Sequence, residues 1–363
     1  MENALEVASG FLSTDPSKRA PYRGVAAKAL DLIALAPGGE GAENALRFAR
    51  PSHPVALQRE LTLSPEWLEN GRWVAMNPSI ARIPGGYIVN YRLVNYRNRR
   101  ASYYQLEADG VIRTRNVLQA WNQAGEVLGE YPLDLGRFAS TEGPYQGLED
   151  LRLVVLDGLL SFSASYAQLR PLPVPRLVYG RTDLQVASLP PTGTPVQVVE
   201  LTELMASSVH HCEKNWMPVV RPDGLHWIYA IQPFQLLRWD GVGVVVATQD
   251  GPSTKASLGS LRGSVGPVEV AGRWLSLVHF YSTGDGRWYH HRWVEHDPES
   301  LRPVAVSASF CFHPVADDAE VEFAAGLVVG HDGLLWITYG KDDRAAMLAC
   351  VAVQDVLALT WYR

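Results

Sequence analysis

Apolar and polar residues change their spacing once along this chain. Near the N-terminus the spacing is helical, and from Trp73 onward it is the two-residue alternation of short strands. Asp15-Pro16-Ser17 reads as a helix N-cap with proline in the first turn. Val25, Ala26, Ala29, Leu30 and Ile33 then recur at helical spacing until Pro37-Gly38-Gly39. A second helical segment is predicted from Glu43 to Ala49. Residues 1–65 are therefore predicted to be a helical N-terminal extension, suited to packing on the body, to forming a homo-oligomer, or to covering one mouth of the body.

In residues 66–363 one unit recurs, a glycine turn leading into an alternating strand. It occurs at Pro84-Gly85-Gly86, Asp157-Gly158, Asp223-Gly224, Ala271-Gly272 and Asp332-Gly333, each followed by an apolar strand. The copies lie roughly 50 to 70 residues apart, a spacing that fits one propeller blade per repeat. A four-stranded blade cannot bury both faces alone, so the pattern predicts an all-β, five-bladed β-propeller closed into a ring. The innermost strands of such a ring line a central channel.

Composition narrows the partners. The 363 residues include 11 Trp, 31 Gly and 24 Pro, which suits many short strands joined by turns. A net charge of -6 argues against a nucleic-acid surface. Cys212, Cys311 and Cys350 are odd in number and far apart, which describes no disulfide framework and suits a reducing, cytoplasmic setting. No apolar run reaches the length of a membrane span, and no secretory leader is evident.

Polar residues collect at a similar phase of every repeat. Asn77 precedes the first repeated strand and Arg92 ends it; Glu149, Asp150 and Arg152 precede the second. Lys214 and Asn215 precede the third, which holds Tyr229; Arg262 precedes the fourth, which holds His279; Glu322 precedes the fifth, and Asp343 follows it. Arg152 interrupts an otherwise apolar run, Leu151 to Leu156, and Glu149 and Asp150 stand immediately before it, where ionised groups must be paired or used. Strand alternation places Asp150 and Arg152 on one face and Glu149 on the other. Trp216, Trp227, Trp274 and Trp336 read as blade core. His210-His211-Cys212 reads against zinc, because adjacent strand residues point oppositely and no second group has ligand spacing.

The order Asn-Pro-Ser at 77–79, Gly-Leu-Glu-Asp-Leu-Arg at 147–152, Glu-Lys-Asn-Trp-Met-Pro at 213–218, Arg-Gly-Ser at 262–264, Glu-Phe-Ala-Ala-Gly-Leu at 322–327 and Tyr-Gly-Lys-Asp-Asp at 339–343 resembles glycoside hydrolase family 130. That family comprises five-bladed propellers that are mannoside phosphorylases and some hydrolases; related bacterial sugar-transferring propellers share the Glu-Lys-Asn-Trp segment. The likeness spans about residues 73 to 351. It implies Asp150 as general acid with Glu149 beside it. It implies Arg92, Arg152, Lys214 and Arg262 around an anion or sugar, and Asn77, Asn215, Tyr229, His279, Glu322 and Asp343 as further contacts. No cofactor or metal is implied, inorganic phosphate being a co-substrate, and the partners implied are an oligosaccharide, a sugar phosphate or another sugar donor. Leu151 stands where the family motif has proline, and Tyr229-Ala230-Ile231 where it has Tyr-His-Gly. The reaction therefore stays open between inverting phosphorolysis or glycosyl transfer, for which Asp150 would need a pKa raised toward neutrality against the pull of Arg152, and hydrolysis with Glu322 activating water. A non-catalytic glycan-binding propeller is the reading from another class.

Overall fold

The computed structural model describes Ala26 and Ala29, which are helical, and residues 51–100, 103–105, 107–167, 175–205, 213–250, 261–283, 287–313 and 321–362. The predicted helices Asp15–Ile33 and Glu43–Ala49 otherwise lie outside the described residues, as do His210, His211 and Cys212. Strand β1, Leu57–Leu61, falls within the stretch read as helical, yet it is extended.

Apart from the short strands Arg97–Arg100, Tyr103–Gln105, Tyr145–Gln146 and Trp361–Tyr362, the remaining strands form five successive runs. The first holds β2 (Val74–Ile83), β3 (Gly86–Val94), β4 (Ile112–Asn122) and β5 (Val127–Asp134), and the second holds β6 (Glu149–Leu156), β7 (Leu159–Tyr166), β8 (Arg176–Gln185) and β9 (Val196–Leu204). The third has β10 (Met217–Arg221), β11 (Gly224–Ile231), β12 (Phe234–Trp239) and β13 (Val244–Gln249). The fourth has β14 (Arg262–Val270), β15 (Arg273–Thr283), β16 (Arg287–His296) and β17 (Pro303–Ser307), and the last has β18 (Glu322–Val329), β19 (Leu335–Lys341) and β20 (Ala345–Val351). Neighbours within a run pair antiparallel. β1 supplies the fourth strand of the last run by pairing with β20, Leu57 opposite Cys350 and Leu61 opposite Ala346. The first and second runs join through the parallel β5–β9 pair.

Each repeated glycine turn joins the first and second strands of its run. Asp157 and Gly158, at φ 52° and 76°, and Ala271 and Gly272, at φ 49° and 73°, take the left-handed conformation that a two-residue hairpin needs. The first strands β2, β6, β10, β14 and β18 contact one another in a cycle, so they surround one axis. An apolar cluster fills each gap between neighbouring runs: Leu118, Leu151 and Val178 between the first and second, Tyr179, Trp216 and Trp227 between the second and third. Met217 and Val278 fill the next gap, Leu277 and Ile337 the one after, and Tyr87, Trp121 and Trp336 close the ring between last and first. The cost of exposing one such side chain, about 1.5–3 kcal/mol, explains why neighbouring runs are held face to face. Trp216, Trp227 and Trp336 are core, as expected. No helix among the described residues is long and apolar enough to cross a membrane.

First strands approach so closely that side chains are excluded at some crossings. A Cβ at Gly266 of β14 would overlap the Pro218 carbonyl of β10, and one at Gly326 of β18 would overlap the Ile80 amide of β2. Gly266→Ala and Gly326→Ala are each expected to cost about 1–3 kcal/mol of stability, read from urea midpoints. Wild-type midpoints in both variants would mean that the strands are not so tightly closed.

Candidate active site

The register of each run places the end of its second strand beside the start of its first. Met76 pairs with Arg92, Glu149 with Ser165, Arg262 with His279, and Glu322 with Lys341. The polar residues of all runs thereby gather at one mouth of the axis.

Three of them sit on unusual backbone. Asn77, Asp150 and Asn215 have φ of 43°, 51° and 66°, a left-handed conformation that Asn and Asp tolerate better than other side chains. At Asp150 this breaks strand alternation, and the β6–β7 register shifts beside it, between Ser163 and Ser165. The expectation that Glu149 faces away from Asp150 is thus corrected, since both carboxylates reach the same guanidinium. Arg92 Nη1 donates to Asp150 Oδ1 at 2.8 Å, and its Nη2 lies 3.2 Å from Glu149 Oε1. Asn77 Nδ2 donates to the same Asp150 oxygen at 3.0 Å, and Lys214 Nζ stands 3.8 Å from Glu149 Oε2. Both bonds to Asp150 fall on Oδ1, which leaves Oδ2 without a hydrogen-bond partner among the described residues.

Burial is the largest influence on Asp150 and would raise its pKa. Arg92, Lys214, the Asn77 amide and Arg152 together outweigh it, and the carboxyl titrates below its ordinary value. Asp150 is therefore ionised at neutral pH in the free protein, the surrounding cations deciding a sign that the sequence left open. Arg92 is raised well above its ordinary value: burial, the largest influence, opposes this, and Glu149, Tyr96, Asp150 and Asp343 overcome it.

Arg152 is not offered to a ligand. It is 3% exposed, and its Nε donates to the Ser264 carbonyl at 2.6 Å, with longer bonds from Nη1 to the Asp150 carbonyl and from Nη2 to Asn215 Oδ1. Burial pulls it down to about 10, so it stays charged at neutral pH. Glu322 also departs from expectation. It is fully buried, and its two oxygens accept from the Phe312 and His313 amides at 2.8 Å each, which ties a loop down and leaves it unsuited to activating water. His279 is buried as well, its Nδ1 2.8 Å from Ser264 Oγ. Burial first, then the charges of His291, Arg152 and Arg262, hold it well below its ordinary pKa and keep it neutral.

The residues that do face open space flank this cluster. Lys214, Asn215, Tyr229 and Arg262 line a cavity of about 430 Å³ between the third and fourth runs. Asp343, left-handed at φ 51° in the β19–β20 turn, borders another of about 420 Å³ with Trp73 and Arg344. Tyr289, which sequence reading missed, stacks on His279 with centroids 5.3 Å apart. Burial pushes its hydroxyl up to about 12, aided by the negative charges of Asp343 and Asp150, which places it within electrostatic reach of both. Its signal was present in the aromatic and histidine-rich run Trp288-Tyr289-His290-His291, but only the pairing of Tyr289 with Tyr281 turns it toward this mouth. Among the described residues no group of three or more His, Cys, Asp or Glu could hold a metal ion.

Because the folded Asp150 carboxyl titrates low, its stabilisation is present above the unfolded value near 3.9 and lost as pH falls through the folded one. The urea-midpoint difference between wild type and Asp150→Asn is therefore expected to hold at neutral pH and shrink below about pH 4. A difference unchanged through acid would show that the cations do not stabilise this carboxylate.

No family model matches the chain, and no curated protein matches it. Among solved structures, a glycosyl hydrolase from Bacteroides ovatus is similar with a TM-score of 0.53 and 13% identity, over 78% of this chain and 85% of that chain. A structure from work on the GH130 family of mannoside phosphorylases, which contains glycoside hydrolases that target β-1,2-mannosidic linkages in Candida mannan, is similar with a TM-score of 0.52 and 12% identity, over 78% and 85% of the two chains. The chain therefore shares its fold with GH130-type proteins, the family its motifs resemble.

Proposed function

We propose that this chain is a five-bladed propeller and a carbohydrate-active enzyme that transfers a glycosyl unit, on a mannoside-like substrate, with inversion and with phosphate as the incoming nucleophile. The observation that carries this is the cluster at the mouth. It presents a carboxylate oxygen, Oδ2 of Asp150, that has no hydrogen-bond partner among the described residues, set among Arg92, Lys214 and Asn77 and next to a cavity bearing Lys214 and Arg262. Inversion by phosphate requires only one protein carboxyl, the acid that protonates the bridging oxygen. Inverting hydrolysis requires a second, free to activate water. Glu322 is bound to backbone amides and Glu149 is held by Arg92 and Lys214, which favours phosphate over water.

The low Asp150 pKa fits this chemistry only if the acid is charged with its proton in the complex. An anion arriving at Lys214 and Arg92 neutralises the groups that depress it, so the carboxyl rises as co-substrate binds. The proton then passes from Asp150 to the departing sugar oxygen as the phosphate oxygen bonds to the anomeric carbon.

Incubating the protein with a panel of β-mannosides, with and without inorganic phosphate, is expected to yield mannose 1-phosphate only when phosphate is present. Free mannose at equal rates in both would make it a hydrolase, and binding without turnover a glycan-binding propeller. Asp150→Asn is expected to lower turnover on the order of 10² to 10⁴-fold while leaving the circular-dichroism spectrum unchanged. Undiminished turnover would remove Asp150 from the role. With Asp150 as acid, initial rates should fall as pH rises, and the pH of that fall should climb as phosphate is increased. A limb that stays fixed across phosphate concentrations would overturn the coupling.

A further inference from the structure

The axis of the ring does not end at the carboxylates. Beyond them, toward the far ends of the first strands, lies a well of about 300 Å³ lined by Ile80–Arg82, Arg152–Val155, Pro218–Val220, Val265–Glu269 and Ala325–Val328. All five first strands contribute, so the well is axial, and its lining is mostly apolar. Among the described residues, Arg152 is the lining residue that also hydrogen-bonds to the mouth cluster.

The reach of this one side chain is unusual. It springs from β6 in the second run, touches Asn215 before the third, bonds to Ser264 of the fourth, and lies with its guanidinium carbon 5.5 Å from the ring centre of Phe323 in the last. It therefore crosses the axis. A planar guanidinium suits this place because its fork can satisfy several fixed acceptors while its face rests on an aromatic ring. A buried charge is costly unless paired and hydrogen-bonded, and here the adjacent Asp150 carboxylate supplies the opposite charge.

We propose that Arg152 is the stopper of the axis, a positioning residue that forms the floor beneath Asp150 and keeps solvent in the distal well from a sugar seated in the mouth. This rests on the reading of the mouth as a glycosyl-transfer site. When substrate covers the mouth from outside, the axis still leads to it from the distal well. Phosphate attack forms the C1–O–P linkage and breaks the glycosidic C–O bond, the leaving oxygen taking the Asp150 proton. Attack by water breaks the same bond, forms the free sugar and releases the water's proton to solvent. A leaking floor therefore changes the product rather than the substrate.

The test compares Arg152→Ala, which removes charge and bulk, with Arg152→Met, which removes charge but keeps an extended side chain, using a β-mannoside that wild type cleaves in phosphate. The ratio of mannose to mannose 1-phosphate is expected to rise on the order of tenfold in Arg152→Ala and to stay near wild type in Arg152→Met. Phe323→Ala opens the same floor from the opposite run without removing the charge and should raise the ratio too, which keeps the question decidable if Arg152→Ala does not fold. Equal shifts in the Ala and Met variants would show that charge, not closure, is what matters and would overturn the proposal. So would an unchanged ratio in both floor-opening variants. Crystal structures give a readout independent of turnover. A file of ordered waters from the well to the Asp150 carbonyl is expected in Arg152→Ala or Phe323→Ala and not in wild type or Arg152→Met. An axis that stays shut in the opened variants would overturn the stopper. If wild type cleaves no mannoside, the functional reading fails while this structural arm still decides whether Arg152 closes the axis.

Discussion

The bridging of Glu149 and Asp150 by the Arg92 guanidinium is the interaction on which the mouth depends. All three groups are largely withdrawn from water, where an unpaired charge would cost several kcal/mol. Arg92 lies at the end of a second strand in one run and the carboxylates at the start of a first strand in the next, so the pair fastens adjacent runs at the point where chemistry would occur. Lys214 and Asn77 extend this network to two sides.

Around that network the axis is layered. The open mouth carries Lys214, Arg262 and Tyr289; beneath it Arg152, Ser264, His279 and Phe323 form a packed polar and aromatic layer; below that lies the apolar well. The middle layer accounts for residues that a list of polar side chains would assign to ligand contact. His279, kept neutral by burial and neighbouring positive charge, stacks on Tyr289 and bonds to Ser264, whose carbonyl in turn holds Arg152. Glu322, at the start of β18, does similar work by fastening the Phe312–His313 backbone.

Much of the fold is legible in the chain. The glycine turns at Gly85, Gly158, Gly224, Gly272 and Gly333 each mark the hairpin between first and second strands, because a left-handed residue in a tight turn is a local requirement that the residue type itself reveals. The polar phase of the repeats likewise reveals where the mouth lies. Strand β1 escapes this reading, since its pairing partner β20 is almost three hundred residues away and no local pattern in Leu57–Leu61 announces it.

For the site, the chain by itself determined that a set of polar residues converges: Asp150, Arg92, Lys214 and Asn77 do meet. What only the tertiary structure decided is how each is used. Strand alternation put Glu149 on the far face, but the left-handed turn at Asp150 brings both carboxylates to one guanidinium. Arg152 and Glu322 looked like ligand groups until their partners, a carbonyl across the axis and two amides of a distant loop, came into place. The sign of the Asp150 shift was undecidable for the same reason. Burial and charge act on it in opposite directions, and the outcome depends on distances that closure of the ring sets.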